Sequence, residues 1–332
     1  MKNSHIIPAF YLERFARPSV RGPNNPGRVW VYEKGEQPDD RATSVQGREN
    51  GYFAYVRPDG TVEETFETVL AKRESECNEV LELARSPIYR WPSGSEEKLA
   101  FYATLLFRRA TQQRTFSESN WQKVIEDVRQ AAADPEYVRQ TAADITLKRG
   151  IPVTEDILRN AISAWIEKAI QPRSTRNSFI SDLLELVEFG AAELLKKRPW
   201  RILRPPDGME FVTSDNPLVT FVPLGNGVLH PGYGFRRPDA DAVFPLAPDA
   251  CLLMGNAWNV PQSLDKAATD NLNDVLVSIC DRYVYSKTLS RTIQEHVDMY
   301  GGDRRYGVNA FMPLGIKLPQ VRQFLRTHFG LD

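Results

Sequence analysis

A polar corner joins two segments whose β-branched and aromatic residues predict strands at 210–213 and 218–222. The corner has the sequence Ser-Asp-Asn-Pro at 214–217, and its proline disfavours the helical backbone region for Asn216. Two interpretations are open. Asp215 and Asn216 could cap their own backbone in an Asx-type turn. Alternatively, Asp215 could act in catalysis, because loops held by rigid strands carry many functional residues.

A histidine precedes the first predicted helix. His5 lies three residues before Pro8, which is typical of a first helical turn, and Tyr11, Leu12 and Phe15 then face inward. A histidine near a helix start is commonly a surface or capping residue. An imidazole with a pKa near 6.5 is also the natural proton carrier when a cleft is close. Both interpretations of His5 stay open.

Two carboxylates and an arginine lie on predicted helices. Glu67 and Glu74 are seven residues apart, about 10.5 Å along one edge of the helix predicted over 62–85. Arg109 continues the apolar stripe of a second helix, predicted over 96–116. Because a buried unpaired charge costs several kcal/mol, Arg109 must pair with a carboxylate such as Glu67 or Glu74, or face a polar cavity.

Further positive charge lies near the end of this second predicted helix. Arg108, Arg109 and Arg114 would all lie near its carboxyl terminus, where the helix dipole favours cations. Guanidinium groups can hold a phosphate or a carboxylate through two parallel hydrogen bonds. The helix end could therefore bind an anion, or contain a buried Arg–Glu pair.

The composition is that of an ordinary globular protein. The 332 residues are 42% hydrophobic and 26% charged, and the net charge of -1 provides no overall field for nucleic acid. The chain lacks the glycine-rich dinucleotide motif, the phosphate-binding loop, the Gly-x-Ser-x-Gly elbow and the His-Glu-x-x-His motif. A Rossmann-type enzyme is excluded, and any basic site must be local.

The cysteines and the apolar runs indicate a cytoplasmic protein without membrane contact. Cys77, Cys251 and Cys280 are far apart and flanked by apolar residues, which predicts reduced, buried thiols rather than a disulfide or a zinc site. The longest apolar runs are much shorter than a membrane span, and the first residues contain no apolar signal core.

The pattern of the chain predicts an α+β fold. A helix-rich first part is followed by a sheet-bearing part at 198–290, with a mixed or antiparallel sheet formed mainly by the C-terminal half. Residues 118–171 are interpreted as an inserted helical layer, with helices at 135–148 and 154–170.

No flexible linker divides the chain, so we expect one α+β unit over 1–332. A final helix is predicted at 319–329.

Six sequence blocks occur in the order found in a known family. They are His5-Ile-Ile-Pro-Ala-Phe-Tyr-Leu-Glu-Arg-Phe, Val29-Trp-Val-Tyr-Glu, Glu67 with Glu74, Arg109-Ala-Thr-Gln-Gln-Arg, Thr213-Ser-Asp-Asn-Pro and Phe244-Pro-Leu-Ala-Pro. Together they resemble the uncharacterised bacterial and fungal family DUF4238 across nearly the whole chain. The resemblance implies no established activity. It implies that the candidate residues named above form one constellation.

Such a constellation suggests phosphate chemistry, and the first hypothesis is a phosphate-directed hydrolase, either a nuclease or a nucleotide-processing effector. The histidine would move the proton, the arginines would hold the phosphate, and Asp215 would orient the histidine or bind a divalent metal. Nucleic acid or a nucleotide would be the partner. The catalytic candidates are His5, Glu74 and Asp215, and the substrate-binding candidates are Glu67, Arg109, Arg114, Ser214 and Asn216.

Two alternatives remain. In the first, the protein is a non-catalytic binding or assembly module, and the same residues form a structural polar network. In the second, it binds nucleic acid without cleavage, which requires one clearly basic face. Exposure separates catalysis from architecture, because an open pocket favours catalysis and a sealed contact favours architecture.

Overall fold

The structure is a computed structural model. It describes residues 3–18, 25–57, 59–63, 65–83, 86, 88–150, 152–189, 198–223, 229–231, 237, 239–255 and 262–301. These residues form two compact units, one from the first 114 residues together with those after residue 182, and the other from residues 115–182. None of the described helices is both long and apolar enough to cross a membrane.

The described part of the chain contains nine α-helices and thirteen strands. The helices are α1 Ala9–Glu13, α2 Thr65–Glu82, α3 Ser95–Arg109, α4 Thr111–Ala133, α5 Pro135–Arg149, α6 Glu155–Ala169, α7 Pro172–Phe189, α8 Lys266–Ser278 and α9 Arg291–Tyr300. The strands are β1 Asn3–His5, β2 Arg28–Tyr32, β3 Asp39–Ala42, β4 Arg48–Asn50, β5 Tyr55–Val56, β6 Val62–Glu63, β7 Trp200–Leu203, β8 Thr213–Ser214, β9 Val219–Pro223, β10 Leu229–Pro231, β11 Asp241–Ala247, β12 Ala250–Met254 and β13 Val284–Ser286. The predicted α+β fold is confirmed.

All pairs between these strands are antiparallel. The largest sheet has the order β10-β9-β11-β12-β7 and comes from the C-terminal half, as predicted. A four-stranded sheet, in the order β3-β2-β13-β8, combines strands from both ends of the chain. Two short ladders, β1-β4 and β5-β6, complete the set.

The five-stranded sheet is buried on both faces, so its central strands β11 and β12 are apolar without alternation. One face packs with side chains from α1, α2 and α3, and the other with side chains from α8 and α9. Along β11 the side chains of Phe244 and Val243 point into these two different clusters, as the pleat of a strand requires. The first face supports the amino-terminal segment that contains His5.

The corner at 214–217 carries the chain from one sheet to the other. β8 pairs with β13 in the four-stranded sheet, whereas β9 pairs with β10 and β11 in the five-stranded sheet. The first predicted strand, at 210–213, is reduced to the two residues of β8. β9 agrees with the predicted strand at 218–222 to within one residue at each end.

The second unit is helical. Within residues 115–182, side chains from α4, α5 and α6 form a small apolar core that includes Val128, Val138 and Ile162. Asp134 caps α5 by accepting hydrogen bonds from the backbone amides of Glu136 and Tyr137. The interpretation of this region as an inserted layer stays a prediction.

One predicted helix is wrong in a way that matters for the site. The helix expected over 96–116 is broken at Ala110, which has φ -56° and ψ 143°, so that α3 ends at Arg109 and α4 begins at Thr111. Arg114 therefore lies in the first turn of α4, where the helix dipole disfavours a cation. Alanine is a strong helix former, so the sequence contains no signal for this break.

Two smaller boundaries also differ. The helix predicted from residue 62 begins at Thr65, because Val62–Glu63 forms β6 instead. The helix predicted at 319–329 lies outside the described residues.

Candidate functional site

Arg109 is buried at the end of α3 and bound on several sides. Its side chain is only 3% exposed, and its two terminal nitrogens donate to the carboxylate of Glu74 and to the backbone carbonyl of His5. Its guanidinium carbon lies 5.0 Å from the ring centroid of Phe53. The hydroxyl of Tyr52 donates to the Arg109 carbonyl at 2.9 Å. One of the two partners predicted from the sequence, Glu74, is therefore present.

Burial changes the electrostatics of this arginine. It lowers the pKa of the Arg109 guanidinium to about 9, and the nearby Tyr52 and Glu67 oppose the shift. The group is still positively charged at pH 7, and the Glu74 carboxylate balances the charge. A guanidinium neutralised in this way has little attraction left for a phosphate.

The ladder of β1 and β4 places further candidates beside this pair. Ser4 lies opposite Glu49, and His5 lies opposite Arg48. The Ser4 hydroxyl donates to the Glu67 carboxylate, which fastens β1 to α2. His5 Nε2 accepts a hydrogen bond of 2.7 Å from Arg48 Nε, so this nitrogen carries no proton.

Arg114 is bound to the same ladder. Its NH1 group is 3.0 Å from Glu49 Oε1, and its guanidinium carbon lies 4.9 Å from the ring centroid of Tyr52. We call this set of side chains the amino-terminal network. It consists of the candidates His5, Glu67, Glu74, Arg109 and Arg114 and the residues that connect them, Ser4, Arg48, Glu49 and Tyr52. Five of the eight candidate residues thus meet around β1.

The His5 environment predicts a pH effect on stability. Burial and the positive charge of Arg48 lower the pKa of His5 below 6.5, although hydrogen bonding to the Ser44 backbone opposes this. Below pH 6.5 the unfolded chain therefore binds the proton more readily than the folded chain, so stability falls as the pH drops. We expect urea unfolding at pH 5 and pH 7.5 to show a larger acid loss for the wild type than for His5→Gln. Equal losses would contradict this.

Asp215 is a connector between two separate segments. It is 8% exposed, and its carboxylate accepts from the backbone amides of Asp281 at 2.7 Å, Arg282 at 2.7 Å and Tyr283 at 2.9 Å. Its own amide donates to the Tyr283 carbonyl at 3.1 Å. Burial raises the pKa of the Asp215 carboxyl to about 7, and the three amide donors oppose that shift.

Ser214 and Asn216 complete the corner. The Ser214 hydroxyl accepts from the Asn216 amide at 3.2 Å, and Asn216 Nδ2 donates to Gln112 Oε1 and to the Ile279 carbonyl, each at 3.4 Å. The predicted Asx-type turn is therefore not what these groups form. Ser214 provides the local cap, and Asp215 binds the backbone of a distant segment. These three residues and residues 279–283 are called the corner network.

A family model described as "Protein of unknown function (DUF4238)" matches residues 3–290. The chain belongs to the DUF4238 family. Neither the comparison with curated proteins nor that with solved structures gives a match. All eight candidate residues of this DUF4238 protein lie inside the matched range.

Two further contacts involve residues that were not among the candidates, and one of these residues, Gln112, links the two networks. Gln112, which contacts Asn216, lies between Arg109 and Arg114 in the chain, so the segment 109–114 serves both networks. Tyr11, predicted only to face inward, donates from its hydroxyl to the Pro245 carbonyl at 2.7 Å and lies 2.8 Å from Thr213 Oγ1. Both contacts are made by uncharged side chains, so the sequence gave no reason to select these two residues individually within the family blocks that contain them.

Metal binding finds no support in the described residues. Among them, no group of three or more His, Cys, Asp or Glu side chains is placed to hold a metal ion. The three cysteines are buried and unpaired with one another, and burial raises the pKa of Cys77 to about 12. The role of Asp215 as a metal ligand stays a prediction.

Proposed function

We propose that this DUF4238 protein is a non-catalytic binding or assembly module, in which the residues of the amino-terminal network and the corner network hold the fold together. The observation that carries the proposal is the burial of Arg109 together with the pairing of its two terminal nitrogens, although its buried Nε has no hydrogen-bond partner among the described residues. A phosphate clamp needs donors that face solvent, but this guanidinium is almost fully buried and donates to Glu74 and His5. The arrangement is the sealed contact that favours architecture over catalysis.

The corner network supports the same conclusion independently. A carboxylate that accepts three amide hydrogen bonds is well suited to fixing a backbone segment, and both of its oxygens are already engaged. Three of the roughly four lone-pair sites of the Asp215 carboxylate are occupied, which leaves little accepting capacity for a proton or a metal ion. The amino-terminal network in turn fixes β1 to α2 and α3, so both networks join segments far apart in the chain.

A phosphate-directed hydrolase, as a nuclease or a nucleotide-processing effector, is the second candidate. One observation favours it. The half-buried imidazole of His5 has a lowered pKa and is neutral at pH 7, as a general base must be, and Arg48 lies beside it. Nucleic acid or a nucleotide would be its substrate, with a divalent metal as the cofactor.

One experiment separates the two candidates. Purified protein is incubated with RNA, DNA and nucleotides, with and without Mg²⁺ or Mn²⁺, and the melting temperatures of His5→Gln and Arg109→Met are measured. The proposal expects no hydrolysis above the blank and a large fall in melting temperature for Arg109→Met. Hydrolysis that His5→Gln abolishes at an unchanged melting temperature would establish the second candidate instead.

A further inference from the structure

Two arginines face each other across a strand bridge in the first unit. Arg17 and Arg28 form an isolated antiparallel bridge, in which the Arg17 amide donates to the Arg28 carbonyl at 2.8 Å and the Arg28 amide donates back at 3.1 Å. Residues that exchange both hydrogen bonds have side chains on the same side of the ladder. Like charges in directly opposite positions are destabilising, so an anion placed between the two guanidiniums stabilises the pair.

One carboxylate supplies only part of that compensation. Asp40 Oδ1 accepts from Arg17 at 2.5 Å, and Asp40 Oδ2 accepts from Arg28 Nε at 2.9 Å. Two guanidiniums therefore share a single negative charge, which leaves one positive charge in excess. The Arg17 Nε atom is buried and has no hydrogen-bond partner among the described residues.

An aromatic ring holds the pair in place. Trp30 is two residues from Arg28 on β2 and lies opposite Asp40 on β3, so the three side chains share one face of the four-stranded sheet. The Arg17 guanidinium carbon lies 5.0 Å from the Trp30 ring centroid. A stacked guanidinium loses less freedom when it binds a ligand.

The site is open to solvent. The side chains of Arg17, Arg28 and Asp40 are 35%, 43% and 33% exposed. A dissolved ion can therefore reach the guanidiniums while the protein stays folded. Neither the amino-terminal network nor the corner network includes these residues. The Trp30 block was part of the family resemblance, and the proposed function does not account for it.

We propose that Arg17 and Arg28 form an anion site that takes a phosphate group. A phosphate can accept hydrogen bonds from both guanidiniums, and it carries more negative charge than the Asp40 carboxylate. Arg28 NH2 also donates to the Asp40 backbone carbonyl at 2.5 Å, which fixes the orientation of this guanidinium. Asp40 acts as an internal competitor, which bridges the two arginines until the phosphate takes its place. The inference goes beyond the proposed function and stands separately from it.

Calorimetric titration of the full chain with inorganic phosphate, and separately with AMP, tests the site. We expect both ligands to bind the wild type, and Arg28→Gln and Arg17→Gln each to weaken binding about tenfold, because half of the fork donors are lost. Asp40→Asn should bind several-fold more tightly than the wild type, since it removes the competing carboxylate. The control Arg129→Gln changes an exposed helical arginine outside the site and should bind as the wild type does.

The increase for Asp40→Asn is the decisive result, because a folding defect would only reduce binding. Equal binding in the wild type and both arginine variants would overturn the proposal, as would weaker binding in Asp40→Asn. Binding of AMP without binding of phosphate would assign recognition to the nucleoside and also overturn it. None of these outcomes depends on the architectural role of Arg109 or Asp215.

Discussion

Replacement of Arg109 by methionine is expected to lower the free energy of unfolding by about 3–5 kcal/mol, measured by urea denaturation. Methionine occupies a similar volume but donates no hydrogen bond, so the Glu74 carboxylate, whose side chain is only 13% exposed, is left without its counter-charge. The His5 carbonyl loses its donor as well. The loss is large because the dominant cost is an uncompensated charge on a side chain that is largely shielded from water.

A second substitution tests that cause. In the double variant Arg109→Met with Glu74→Met, the stranded charge is gone and two apolar side chains meet instead. We expect the double variant to be more stable than Arg109→Met alone by at least about 1 kcal/mol. The His5 carbonyl lacks its donor in both, so the difference reports on Glu74. A double variant less stable than the single one would contradict the buried-pair explanation.

The matched control is Arg129→Met. This arginine is about half exposed on α4 and pairs with Glu126 one turn away. Exposed pairs of this kind contribute little, so the change should stay within about 0.5 kcal/mol.

Asp215→Asn is expected to lower the free energy of unfolding by about 2–3 kcal/mol. Asparagine keeps the shape of aspartate but replaces one accepting oxygen by an amino group. Whichever way the amide turns, its amino group meets at least one of the backbone N–H groups of Asp281, Arg282 and Tyr283. A buried donor facing another donor costs its full desolvation free energy.

Hydrogen exchange locates this effect. In Asp215→Asn the amides of residues 281–283 should exchange faster than they do in the wild type. The increase should exceed any change at the β11 amides, because the β11 ladder is unaltered. The control Asp239→Asn changes an exposed carboxylate that pairs with Arg237, and it should leave both stability and exchange nearly unchanged. Unaltered exchange at 281–283 in Asp215→Asn would show that the carboxylate does not hold this segment.

The sequence predicted well what local periodicity encodes. The helices expected at 135–148 and 154–170 agree with α5 and α6 to within one residue at each end. Both carry start signals in the sequence, with an aspartate or a threonine as the N-cap. The burial of Arg109 was also predictable, because it continued an apolar stripe and therefore needed a counter-charge.

The remaining features could not be predicted, for physical reasons. The donors to Asp215 are backbone amides, which every residue except proline has, so no side-chain pattern identifies Asp281, Arg282 and Tyr283 as its partners. The strand β4 is short and wholly exposed, and shows no alternation. The partners that β4 brings to His5 and Arg114 were therefore missed.

The path of the chain through the corner has a kinetic consequence. Asp215 reaches Asp281 across 66 residues, and the strands β9 to β12 lie within that span. Closing so long a loop costs chain entropy before the contact returns any free energy. We expect this connection to form after the folding transition state, so that Asp215→Asn would speed unfolding and leave the refolding rate almost unaltered.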